Sequence, residues 1–162
     1  MNGEIIDGDL FASPRPAAPH ARAARGICTD LFGNFDGPPG AAGNPGGWWI
    51  LIEPELHLGD DVLIPDLAGW RIERMPTFPN TAAFRQPPDW VCEVISPSTG
   101  ALDRGRKMRV YAHVGIPHPW IVDPLARTLE IYRLDAGHWV VVTTHGGDTT
   151  VHVEPFDVLP SR

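Results

Sequence analysis

No apolar run in these 162 residues approaches the roughly 20 needed to cross a bilayer. The opening residues, Met1-Asn2-Gly3-Glu4, lack the basic and apolar regions of a signal peptide, so a cytoplasmic location is expected. Cysteine is scarce. Cys28 and Cys92 lie far apart, and Cys92 falls in an apolar run, Trp90-Val91-Cys92, so two reduced thiols are expected rather than a disulfide framework. Nothing around either thiol is electropositive enough to advertise a nucleophile. No glycine pattern fits a P-loop or a dinucleotide fingerprint, and no Gly-x-Ser-x-Gly elbow surrounds Ser96 or Ser98. His113 and His118 lack the further soft ligands of a zinc site. Positive charge is also short: 13 Lys and Arg stand against 20 Asp and Glu, a formal charge of -7. A protein held to DNA by phosphate neutralisation usually shows a basic surface, so tight sequence-specific duplex binding is disfavoured. Catalysis on nucleic acid stays open, because clustered carboxylates bind cations that reverse the local field.

What is present fits one ordinary globular domain spanning 1–162, long enough to bury a core. Residues 4–10 read as a short strand breaking at Asp7-Gly8, and Ser13-Pro14-Arg15-Pro16 forces an extended segment. A helix is predicted from about Pro19 to Phe32. The stretch from Gly33 to Gly47 carries six glycines and three prolines, which makes it a loop. Two apolar runs, Trp48 to Leu58 and Val62 to Arg71, flank Gly59-Asp60-Asp61 and read as a hairpin. A proline-rich loop over 72–88 precedes a strand from Asp89 to Ser96, and a helix follows from Asp103 to Val114. Strands are expected at 120–122, 128–134, 138–144 and 151–153. The six tryptophans mostly fall in strands and read as core or dimer surface. This order predicts a mixed α/β or α+β architecture around one central sheet.

The carboxylates are the informative feature. A two-residue Gly59-Asp60 loop pairs Leu58 with Asp61 and, by the same register, sets Glu53 opposite Asp66 on one face, whereas a three-residue loop sets Pro54 opposite Asp66 and splits the acids between faces. Facing carboxylates repel unless a cation lies between them. Asp66 in Val-Leu-Ile-Pro-Asp-Leu-Ala and Glu93 in Trp-Val-Cys-Glu-Val-Ile are lone acids in apolar strands, where a carboxylate is costly unless paired or metal-bound. The helix that follows carries Arg104, Arg106, Lys107 and Arg109; Asp103 and Lys107, four apart, also suit an exposed ion pair. Hard oxygen ligands of this kind favour Mg²⁺ or Mn²⁺ over zinc.

Several segments occur together in a telling order: Glu4-Ile5-Ile6-Asp7-Gly8-Asp9-Leu10, Pro65-Asp66, and Glu93-Val94-Ile95-Ser96-Pro97-Ser98-Thr99. Asp103-Arg104-Gly105-Arg106-Lys107, Tyr111-Ala112, Gly115 and Trp120-Ile121-Val122-Asp123-Pro124 complete the series. Over nearly the whole chain this resembles the Uma-type family, a family of uncharacterised function placed among endonucleases of the restriction-endonuclease-like PD-(D/E)xK superfamily. The resemblance implies a central mixed sheet flanked by helices, with Asp66 and Glu93 as the two metal-binding acids. The superfamily's lysine two residues after the second acid is absent, because position 95 is Ile. The resemblance implies that Lys107, on the next helix, fills that role. Glu4 and Glu53 are weaker candidates for an auxiliary metal ligand, and His20 matches a recurrent position near the first helix. The family usually begins with a further helix ahead of the Glu4 segment, whereas this sequence starts almost at it. The expectation is a Mg²⁺-dependent endonuclease acting on DNA, working as a homodimer without membrane attachment. The alternative is a dimeric binding or regulatory module that keeps the nuclease fold and cleaves nothing.

Overall fold

The computed structural model describes residues 2–40, 43–146 and 153–156. The strand expected at 151–153 falls largely outside them. The chain opens with a hairpin, β1 (Asn2–Ile6) and β2 (Asp9–Ser13), turning at Asp7 and Gly8, both left-handed at φ 53° and 82°. Helix α1 (Ala18–Phe35) starts at a proline in its first turn and continues through Gly33. It runs one turn past the predicted end because Leu31 and Phe35 insert into the core, and such burial outweighs the modest cost of a helical glycine.

The long hairpin then builds the frame of the site. Its strands are β3 (Trp48–Ile52), β4 (Glu55–Leu58), β5 (Asp61–Leu63) and β6 (Leu67–Arg71). Leu58 pairs with Asp61 as the two-residue loop requires, and Gly59 sits at φ 65°, the conformation a type II′ turn needs at its first central position. The same register resumes beyond the break, from Ile52↔Leu67 to Trp48↔Arg71. Between the two halves lie Pro54 and Pro65, neither of which has an N–H to give a ladder. Glu53 adopts φ 48° there, and its N–H donates to the Asp66 carbonyl at 2.9 Å. The ribbon therefore bends, and its halves join different sheets.

This corrects the expectation of one central sheet. β4 and β5 belong to a five-stranded sheet ordered β2-β1-β5-β4-β7, where β7 is Ala83–Phe84. β3 and β6 belong to a six-stranded sheet ordered β11-β10-β9-β8-β6-β3. Its remaining strands are β8 (Trp90–Val94), β9 (His118–Asp123), β10 (Thr128–Asp135) and β11 (His138–Gly146). Both sheets are mixed, with β4/β7 and β8/β9 parallel. Glu53 and Asp66 still line one cavity, but the left-handed residue interrupts the pleat, and Glu53 is exposed whereas Asp66 is half-buried.

The second helical segment runs from α2 (Gly100–Leu102) through a π turn (Asp103–Lys107) into α3 (Met108–His113). Every residue of β8 is buried, as expected of a central strand covered on both faces. Trp90, Cys92 and Val94 pack with Leu31 and Phe35 of α1 on one face. Val91 and Ile95 face the other way, into a core shared with Ile6, Leu56 and Leu63 of the five-stranded sheet and Met108 and Tyr111 of α3. Glu93 alternates with Val91 and Ile95, so a carboxylate emerges on that second face. No helix among the described residues is long and apolar enough to cross a membrane.

Candidate active site

Five separate parts of the chain converge at a cavity: β1, the start of α1, the bend of the hairpin, β8 and the π turn. Leu67 pairs with Cys92, so extending that register by one residue sets Asp66 opposite Glu93. The two acids, 27 positions apart in sequence, line one cavity of about 240 Å³ together with Glu4, Glu53, Asp103 and Lys107. Asp66 is held by its neighbours' backbone: Oδ2 accepts the Val94 N–H at 2.7 Å, and Oδ1 lies 3.2 Å from Nε2 of His20. His20 reaches the cavity from the first turn of α1, which explains why a histidine near the start of that helix matters to a strand 46 residues away. Hydrogen bonding to Asp66 raises the His20 pKa, and this outweighs the opposing effect of partial burial.

The Glu93 side is drier. Glu93, Glu4, Asp103 and Lys107 are each buried to 5% exposure or less. Nζ of Lys107 lies 2.7 Å from Glu93 Oε1, 2.8 Å from Glu4 Oε2 and 3.5 Å from Asp103 Oδ1. Glu4 Oε2 also accepts the Ile64 N–H at 2.8 Å, tying β1 to the hairpin bend. The Tyr111 hydroxyl donates to Glu93 Oε1 from α3. Burial pushes the Glu93 carboxyl well above its usual range; Lys107 opposes this, while Asp103, Asp66 and Glu4 add to it. Burial alone would lower Lys107, but the charges of Glu93, Asp103 and Glu4 more than reverse that and raise it. The cluster as a whole holds positive charge tightly, as three carboxylates around one ammonium should.

The sequence candidates are thus placed plainly. Asp66, Glu93, Lys107 and Glu4 are brought together, and Glu53 stands exposed on the cavity wall. The Asp103–Lys107 pair is buried, where an exposed helix pair was the simpler expectation, because the π turn packs against β1 and β8. Asp103 and Tyr111 as members of the cluster were not anticipated. One signal pointed to the amine: Lys107 is the only lysine among the thirteen basic residues. Where arginine is otherwise used throughout, a compact ammonium suggests a site too small for a guanidinium fork. His113 is exposed and joins no such cluster. Cys92 is buried and Cys28 half-buried, both free thiols.

Comparison with known proteins places the fold and the sequence among known relatives. Residues 2–159 match the family model of Uma2, described as "putative restriction endonuclease". An uncharacterised protein of Synechocystis sp., slr1290, is 25% identical over 147 residues, covering 90% of this chain and 73% of that protein. A crystal structure of a nuclease described as putative and belonging to DUF820, from Anabaena variabilis, superposes with a TM-score of 0.75 at 20% identity. That superposition covers 96% of this chain and 83% of the other.

Proposed function

Because the chain belongs to the Uma2 family, we propose that it is a Mg²⁺- or Mn²⁺-dependent endonuclease that hydrolyses phosphodiester bonds of DNA, with Asp66 and Glu93 as the ligands of the cation. One observation carries the reading. Two acids from adjacent strands meet at one cavity, beside a buried ammonium and with more negative charge than the protein itself neutralises.

The donor set suits the ion. Five carboxylates (Glu4, Glu53, Asp66, Glu93 and Asp103) line the cavity against two permanent cations, Arg15 and Lys107. Among the described residues no group of three or more His, Cys, Asp or Glu could hold a metal ion. Two acids suffice for Mg²⁺, which ordinarily uses only one or two carboxylates and keeps several waters. When bound, such an ion lowers the pKa of a coordinated water and neutralises charge on the phosphoryl oxygens.

The chain's own residues divide the remaining work. Val94 N–H and His20 fix the plane of the Asp66 carboxylate, leaving the acid partly open to the cavity. Lys107 and Tyr111 keep Glu93 in place and favour its ionised form against the cost of burial. Lys107 also has a substrate role in this reading: its longest contact, 3.5 Å to Asp103, is the one it can exchange for a phosphoryl oxygen as charge develops there.

A second reading has its own observation. All three carboxylate partners of Lys107 are already in place, as in a purely structural ion cluster, which favours a binding module that keeps the fold without cleavage. A nicking assay on supercoiled plasmid separates the two. Cleavage that requires Mg²⁺ or Mn²⁺ and disappears in Asp66→Asn and Glu93→Gln supports the endonuclease. Intact plasmid across both ions, or nicking that survives Asp66→Asn, contradicts it.

A further inference from the structure

The amine of the proposed site is buried and has a single contact to exchange for a phosphoryl oxygen, so the charge on the rest of the substrate strand needs another partner. Lys107 is 2% exposed and surrounded by carboxylates, and His20 is engaged by Asp66. Nearby arginines are spent too: Arg104 lies 2.6 Å from Glu130, and Arg106 lies 3.1 Å from Asp9. Arg15 differs from all of these. It lines the same cavity, is solvent-exposed, and makes no ion pair or hydrogen bond among the described residues.

Its backbone is unusually constrained for an exposed arginine. Pro14 fixes its own φ, and Pro16 disfavours the helical region for the residue before it, so the Ser13–Ala17 connection between β2 and α1 is held extended. Part of the ordering cost of presenting this side chain is therefore met before any ligand arrives. The guanidinium can then offer a fork of N–H donors to two oxygens of a phosphate.

We infer that Arg15 is the phosphate-binding residue of this site. It grips a non-bridging oxygen pair of the substrate strand at the cavity mouth and holds the neighbouring phosphodiester against Asp66. The inference rests on the phosphodiesterase reading above and adds to it a substrate-binding residue outside the carboxylate cluster. It also accounts for how an acidic protein admits a polyanion: one uncommitted cation stands where the strand must enter.

The test is steady-state cleavage of a labelled single-stranded DNA oligonucleotide in Mg²⁺ over a series of salt concentrations, with Arg15→Ala and Arg15→Lys. Loss of a charge-assisted contact should raise KM about tenfold in Arg15→Ala and leave kcat within about twofold. The slope of log(kcat/KM) against log[salt] should become shallower by about 0.7, the value for one phosphate contact on a single strand. Arg15→Lys should restore the slope and only part of the KM, because charge returns without the fork. The urea midpoint should not move, since the side chain is exposed and unpaired. An unchanged KM and salt slope in Arg15→Ala, or a fall confined to kcat, overturns the role of Arg15 and leaves the endonuclease standing. A wild-type protein that cleaves neither this oligonucleotide nor plasmid in Mg²⁺ or Mn²⁺ overturns both.

Discussion

The cavity has a dry wall and a wet wall. On the dry wall, Glu93 is 2% exposed and shares Lys107 with Glu4 and Asp103 while accepting a hydrogen bond from Tyr111. On the wet wall, Asp66 has a side chain 17% exposed and is held only by one backbone N–H and a histidine, with Glu53 and Arg15 beside it in solvent. The two acids face each other in register, yet their surroundings give them different duties. A carboxylate buried among fixed partners is a rigid scaffold, and one that solvent reaches is where ions and substrate exchange.

Removing the ammonium should break the dry wall outright. Lys107→Met leaves three buried carboxylates without a cation and should cost about 3–5 kcal/mol in urea unfolding. Glu93 and Asp103, which burial already raises, hold protons in that variant to a higher pH than they do unfolded. Its stability is then fully present below the ordinary carboxyl range and is lost as pH rises through the raised folded values. A pH-independent loss would contradict this. Asp66→Asn should do the reverse, weakening Mn²⁺ binding by about 100-fold or more, since even outer-shell partners are worth 10–100-fold, while barely moving the urea midpoint; calorimetry with parallel denaturation checks both. Tyr111→Phe strips Glu93 of one donor and should cost about 1–3 kcal/mol, again on the dry side alone.

The smaller effects belong to the wet wall. His20→Ala should cost about 1 kcal/mol or less, as partly exposed ion pairs do. The raised folded pKa of His20 fixes the sign: the pair's contribution is fully present below the unfolded value, about 6.5, and fades as pH rises through the folded one. Stability of wild type and His20→Ala should therefore converge at higher pH. Glu53→Gln should change stability by no more than about 0.5 kcal/mol and leave Mn²⁺ affinity unchanged; a large loss of affinity would move Glu53 from the cavity wall into the ligand set.

Much of this difference was legible in the sequence, and what was not has physical causes. The lone acids at 66 and 93 stood out because apolar strands seldom carry a carboxylate without a reason. The hairpin register followed from Gly59-Asp60, since turn length fixes which residues pair. Pairing rules assume a continuous pleat, however, and Pro54, Pro65 and left-handed Glu53 interrupt it. The split into two sheets therefore escaped a reading based on apolar runs. Asp103 and Tyr111 were hidden for another reason. Side chains four apart on a helix look solvated until the neighbouring β1 and β8 are in place, and burial of that pair is a tertiary fact. Arg15 was visible only as a residue in an extended segment; its lack of an ion pair or hydrogen bond among the described residues is a tertiary fact.

The division of labour between the walls comes to one direct trial: anomalous diffraction from crystals soaked in Mn²⁺. A peak bonded to both Asp66 and Glu93, with the Lys107–Glu93 contact still intact and no peak in Asp66→Asn, is the predicted result. Density for the ion at another place, or none beside Asp66 at saturating Mn²⁺, would contradict the account.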